Sequence, residues 1–107
     1  MLNQLVCVGR LVSDIEKENI DGTEYAKITL AVPRSYKNED GEYETDFIDI
    51  QLWNGIAQNT AEYCKKGDLI GIKGRIQTLM VEDTKKTLVI AEKVTFLSSK
   101  KPEGEDE

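Results

Sequence analysis

A chain of 107 residues, 39% hydrophobic and 32% charged, has the material for one domain with a single core, and it contains no run of about twenty apolar residues that would span a membrane. Its formal net charge of -6 counts against a nucleic-acid partner, because phosphate binding rests largely on Lys and Arg displacing counterions, and the lack of histidine removes the commonest general base and metal ligand. The acids are clustered, however. Glu39, Asp40, Glu42, Glu44, Asp46 and Asp49 crowd one loop and the strand after it, and Glu103, Glu105, Asp106 and Glu107 crowd the C-terminus, so the remainder is close to balanced.

The N-terminus enters a strand pattern at once, and with no signal peptide in view the expected location is the cytoplasm. Over Leu2 to Val12, Val6 and Val8 alternate with Leu5, Cys7 and Leu11, which predicts a strand partly buried on both faces. Gly9 inside it marks a bulge or bend, the device by which one strand serves two sheets of a small barrel. Ser13 to Ile20 is charged and irregular, and Asp21-Gly22 is a hairpin turn. A strand over Glu24 to Val32 follows, with Ala26, Ile28, Leu30 and Val32 facing the core and Tyr25, Lys27 and Thr29 facing out. Pro33 is expected to stop it, so that Arg34, Ser35, Tyr36 and Lys37 lead into a mobile acidic turn at Asn38-Glu39-Asp40-Gly41.

In Thr45 to Gly55 the alternation sets Ile48, Ile50 and Leu52 on one face, and Thr45, Phe47, Asp49, Gln51 and Trp53 on the other. The aliphatic row is the buried one. Phe47 and Trp53 therefore lie on the polar face, about 20 Å apart at ~3.3 Å per residue. Flat rings on a wet sheet make a stacking platform for bases, although a covering helix or partner subunit accounts for the same pattern.

Asn54 is a candidate N-cap for a helix with Ile56, Ala57, Thr60, Ala61 and Cys64 on one face, ended by Lys65-Lys66-Gly67 with cations near the negative end of the dipole. Asp68 to Thr78 alternates again, Ile70, Ile72 and Ile76 inward and Lys73, Arg75 and Gln77 outward. Glu82 to Lys86 reads as a polar turn. The last strand runs over Thr87 to Leu97, with Leu88, Ile90, Val94 and Phe96 in phase on one face. The domain spans 1–97, and 98–107, acidic and carrying Pro102 and Gly104, is expected to be a disordered tail. Cys7 and Cys64 have neither metal spacing nor secretory context and read as reduced packing residues.

Strand, strand, strand, helix, strand, strand is the order of an all-β OB-fold, a five-stranded Greek-key barrel with one short helix between strands 3 and 4, whose face across strands 2 and 3 binds single strands or oligosaccharides. The chain further resembles the bacterial single-stranded DNA-binding protein family over nearly all of Met1 to Leu97. The matching stretches include Leu5-Val6-Cys7-Val8-Gly9-Arg10-Leu11, Ile28-Thr29-Leu30-Ala31-Val32, Thr45-Asp46-Phe47-Ile48-Asp49-Ile50, Leu52-Trp53-Asn54-Gly55, Tyr63-Cys64-Lys65-Lys66-Gly67-Asp68-Leu69-Ile70 and Gly74-Arg75-Ile76-Gln77-Thr78. That resemblance implies a homotetramer (or dimer) coating single-stranded DNA in replication, recombination and repair, with bases stacked at the positions of Tyr36, Phe47 and Trp53. The chain departs from the family pattern at Val81, where an aromatic is usual, and at Gln4, Asp49, Gly55, Leu79 and Met80, where basic residues are usual. It ends Glu-Gly-Glu-Asp-Glu without the hydrophobic pair that recruits replication and repair proteins.

The candidate DNA-binding residues are thus Tyr36, Phe47 and Trp53 for stacking, and Arg10, Lys27, Arg34, Lys37, Lys65, Lys66, Lys73 and Arg75 for phosphates. For each cation the plain reading is a solvated face, and Lys65 and Lys66 are explained by the helix end alone. A second class is a protein-binding OB module of primosome type with weak DNA affinity, favoured by the acidic balance. A third is an enzyme using Asp46 and Asp49 as metal ligands, which fails because residues three apart in a strand point to opposite faces. The expectation is a binding protein, not an enzyme, with no cofactor, metal or membrane.

Overall fold

Among the described residues, two neighbouring strands supply five of the twelve buried apolar residues of the core. In β3 (Thr23–Lys37) Ala26, Ile28 and Leu30 are buried, and in β4 (Tyr43–Trp53) so are Ile50 and Leu52. The two pair antiparallel, Ile28 opposite Ile50 and Ala26 opposite Leu52, so both aliphatic rows point to one side and the rows between them to the other. The computed structural model describes residues 1–99 and adds β1 (Leu5–Leu11), β2 (Glu18–Ile20), α1 (Asn54–Tyr63), β5 (Leu69–Val81) and β6 (Thr84–Ser98).

The strand order β1-β5-β6-β4-β3-β2, with a further β1–β3 pairing, closes five long strands into a barrel and leaves β2 as a short hairpin partner of β3. This is the expected OB-fold. With β2 counted, the helix falls between β4 and β5. Pairing is antiparallel except at β4–β6, which meet in parallel register at Gln51 and Ile90. Gly9 carries out the predicted change of sheet: β1 pairs with β5 through Arg10, while Arg10 and Leu11 also pair with β3. A Cβ on Gly9 would lie 2.7 Å from the Ala31 carbonyl oxygen, so the closure needs glycine there. Gly74 meets the Ile90 carbonyl more tightly still. No helix among the described residues is long and apolar enough to cross a membrane.

Several local expectations give way. Pro33 does not end its strand; β3 runs on to Lys37 with a register shift between Pro33 and Lys37, because an irregularity there absorbs the missing N–H. The following turn is held rather than open: the Asn38 side chain accepts from the Asp40 and Glu42 backbone N–H groups, and the Asn38 backbone exchanges bonds with Glu42 and Gly41. β1 is not buried on both faces, since Val6 is 69% exposed and Val8 is exposed beside it. Ile76 is exposed as well, because β5 and β6 continue past the barrel as a two-stranded arm with no core beneath it. The last strand changes phase at a bulge between the Lys73/Lys93 and Gly74/Ala91 pairs, so Leu88 and Ile90 do not stay in phase with Val94 and Phe96; Val89, Ala91 and Val94 pack on the core cluster, and Ile90 is buried outside it. The expected turn at Glu82 to Lys86 is only Glu82-Asp83, and both lie at positive φ.

Around the helix, Ala57, Thr60 and Cys64 are buried as expected, but Asn54 is no cap. It lies at φ 58° as the first helical residue, and Trp53 precedes the helix without a side-chain bond to it. Lys65 and Lys66 fall beyond the last turn. Their backbone N–H groups bond Asp68 and Asp14, which ties the helix exit to β1 and β5. Cys7 and Cys64 are free, and burial pushes both thiols up. Ser98 still belongs to β6, and the tail expected from there lies, for 100–107, outside the described residues.

Candidate nucleic-acid interface

The outer face of β3–β4 is a ladder of cross-strand pairs, because residues opposite one another share a face. From the helix end it runs Tyr25 opposite Trp53, Lys27 opposite Gln51, Thr29 opposite Asp49, Ala31 opposite Phe47, Pro33 opposite Thr45, and, past the irregularity, Lys37 opposite Tyr43. Phe47 is 66% exposed. Trp53 is partly covered, with Tyr25 tilted 51° against it at 4.5 Å between ring centroids. The indole N–H donates to Gln51 Oε1 at 3.2 Å, which fixes the ring's edge.

Two rows extend the ladder around the barrel. One is Lys27, Gln51, Ile90 and Arg75, across β3, β4, β6 and β5. The other is Arg10, Ala31 and Phe47, across β1, β3 and β4. The first row leads into an open groove of about 1010 Å³ walled by Trp53 and the start of α1 on one side and by Arg75, Gln77 and Leu88 on the other. Arg75 stands 3.6 Å from Glu92 and donates to Gln77 Oε1, which leaves its planar fork on the groove wall. Arg10 donates to the Gly67 carbonyl at 3.0 Å, so its guanidinium is held at the turn after α1.

Other candidates lie elsewhere. Arg34 is on the opposite face of β3–β4, where it forks onto Asp46 at 3.0 and 3.1 Å and reaches Glu44 at 3.2 Å. The bond from Arg34 holds the Asp46 carboxyl below its ordinary range, and Asp46 in turn raises the guanidinium. Tyr36, expected in a loop, is a strand residue 66% exposed. Lys73 is exposed on the β1–β5–β6 wall opposite Val6 and Lys93, away from the rings. Lys66 shares a hollow with Lys27 that also holds Asp14, Glu16 and Glu18, and Lys65 is exposed beyond the helix.

Tyr25, which the alternation sets facing out, and Tyr43, which the sequence pattern does not single out, are further aromatics of the same face. Tyr43 is four residues from Phe47 in one strand phase, and its signal was masked by the acids flanking it. Asp49 is the acid of this face, held by Thr29 Oγ1 at 2.6 Å, whereas Asp46 points the other way. Among the described residues no group of three or more His, Cys, Asp or Glu is placed to hold a metal. Burial first, then Glu18 and Asp49, pushes the Tyr25 phenol up.

Comparison with known proteins places the chain by family and fold. The model described as the Single-strand binding protein family matches residues 2–97. The chain is 43% identical over 106 residues to single-stranded DNA-binding protein B of Bacillus subtilis, covering 94% of each. It is 45% identical over 106 residues to single-stranded DNA-binding protein 3 of Listeria innocua, covering 94% of this chain but 66% of that protein. With the single-stranded DNA-binding protein of Bacillus cereus the identity is 42% over 111 residues, covering 98% and 65%. The wild-type single-stranded DNA-binding protein from Thermus aquaticus superposes with a TM-score of 0.80 at 22% identity, over 91% of this chain and 50% of that one, which supports the fold.

Proposed function

The chain belongs to the Single-strand binding protein family, and on that premise we propose that it binds single-stranded DNA with little regard to sequence, as its relatives' names describe. The observation that carries this reading is the row of rings on one outer face, Trp53 and Phe47 about 20 Å apart at ~3.3 Å per residue, with Arg10 in cross-strand line with Phe47, and Lys27 and Arg75 in line with Gln51 between the two rings. Stacking uses the π-face that every base has, and cations on either side follow the phosphates. Tyr36 and Lys37 on the hairpin and Lys65 and Lys66 beyond the helix are secondary contacts of this path, while Lys73, on the β1–β5–β6 wall, is remote from it. Arg34 is a structural cation, since its donors are spent on Asp46 and Glu44.

The chain acts by binding and not by catalysis, in replication, recombination and repair, in the cytoplasm with the nucleoid. It works as a homotetramer or dimer: Val6 and Val8 on β1 and Leu97 on β6 form an exposed apolar strip that a second copy would cover. A second reading, a protein-binding OB module of primosome type, is favoured by Asp49, an acid in the middle of the platform.

Competition separates the two. A labelled dT oligomer at low salt should be displaced by unlabelled single strands and not by duplex of the same length; equal displacement by duplex, or no binding at all, favours the second reading.

A further inference from the structure

We propose that Tyr43, with Lys37 beside it, is a further base-stacking position that prolongs the single-strand path beyond Phe47 onto the β3–β4 hairpin. The proposal rests on reading the outer face of β3–β4 as a single-strand platform. Tyr43, Phe47 and Trp53 are in one phase of β4, so a polynucleotide running along that strand meets the three rings in turn. Tyr43 lies about 13 Å beyond Phe47 at ~3.3 Å per residue.

The ring has no packing task that explains it. Tyr43 is 57% exposed, and its cross-strand partner is Lys37, whose Nζ stands 5.8 Å from the ring centroid. On the opposite face the hairpin holds no apolar core but a polar lattice: Arg34 on Asp46 and Glu44, and Asn38 Nδ2 donating to Glu44 Oε2 at 3.1 Å. That lattice and the Asn38-bonded turn stiffen the hairpin, so the ring is offered to solvent on a fixed support. An ammonium over one ring face leaves the other for a base and stands where that nucleotide's phosphate would pass.

The test is binding of dT oligomers of ~4 to ~16 nucleotides, the range one such barrel covers, by wild type, Tyr43→Ala, Tyr43→Phe, Tyr43→Leu, Phe47→Ala and Trp53→Ala. The expected result is that Phe47→Ala and Trp53→Ala weaken binding at every length. Tyr43→Ala and Tyr43→Leu bind the shortest oligomers normally and lose about tenfold on the longest, and Tyr43→Phe binds like wild type throughout. Tyr43→Leu keeps apolar bulk in case Tyr43→Ala perturbs the hairpin. If both non-aromatic variants match wild type at all lengths while Phe47→Ala and Trp53→Ala are weakened, the inference is overturned and the platform stands. If Phe47→Ala and Trp53→Ala also match wild type, the platform reading itself has failed.

Discussion

Tyr25 and Trp53, opposite one another on β3 and β4, are tilted together at 4.5 Å, so one ring braces the other on the outside of the barrel. Aromatic pairs of this kind contribute about 0.5–1.5 kcal/mol beyond burial. Tyr25→Ala should therefore lower stability by about 1 kcal/mol, shift Trp53 emission to longer wavelength and weaken single-strand binding less than Trp53→Ala does. Thermal melting and the emission maximum check this together. An unshifted spectrum would mean that the pair does not persist in solution.

Asp49 is the acid a bound strand would meet between Phe47 and Trp53. Two unit charges 4 Å apart in water repel by about 1 kcal/mol, so Asp49→Asn should tighten single-strand binding about fivefold at low salt. The gain should shrink toward 0.1 M salt and above, where the screening length is ~10 Å or less. The turn acids Glu39, Asp40 and Glu42 are farther along the hairpin, and their neutralisation should help less. A titration series across salt reads both effects, and a gain that does not fall with salt would remove electrostatic repulsion as its cause.

Arg34 keeps the Asp46 carboxyl depressed in the folded state. A depressed folded-state value means that the contribution to stability is present above the ordinary aspartate value, ~3.9, and is lost as pH falls through the lowered one. Carboxyl NMR titration should find Asp46 titrating lower in wild type than in Arg34→Gln. Acid unfolding should show the wild type's advantage over Arg34→Gln fading below pH ~4. An Asp46 that titrates alike in both proteins contradicts the ion pair.

The arm's turn is built from Glu82 at φ 48° and Asp83 at φ 65°, a conformation suited to Asn and Gly. The double change Glu82→Asn, Asp83→Gly should stabilise by about 0.5–1 kcal/mol, since left-handed backbone costs roughly 1–2 kcal/mol per ordinary residue and glycine's unfolded freedom offsets part of the relief. Urea unfolding should show a higher midpoint with an unchanged slope. A lower midpoint would contradict the turn's geometry.

The parts of the fold that could be read from sequence are those where one face is buried. Ala26, Ile28 and Leu30 against Ile50 and Leu52 fix phase and register, and from them the outward position of Phe47 and Trp53 follows. Ile76 and the phase of β6 could not be read, because alternation does not say where a sheet leaves its core or where a bulge at Glu92 resets the count. Pro33 misled because a proline's missing N–H is tolerable wherever the ladder is already irregular. Arg34 looked like a free cation beside Tyr36. Its partners Asp46 and Glu44 are ten and more residues away and become neighbours only once the hairpin closes.

The most direct test of the stacking platform is Trp53 fluorescence during titration with poly(dT) at low salt, since Trp53 is the only tryptophan. Stacked bases should quench it to saturation, and Phe47→Ala should give the same quench with binding weakened by ~1–3 kcal/mol and the fold intact. A Trp53 signal that poly(dT) leaves unchanged, at concentrations where binding is seen by another method, would contradict the account.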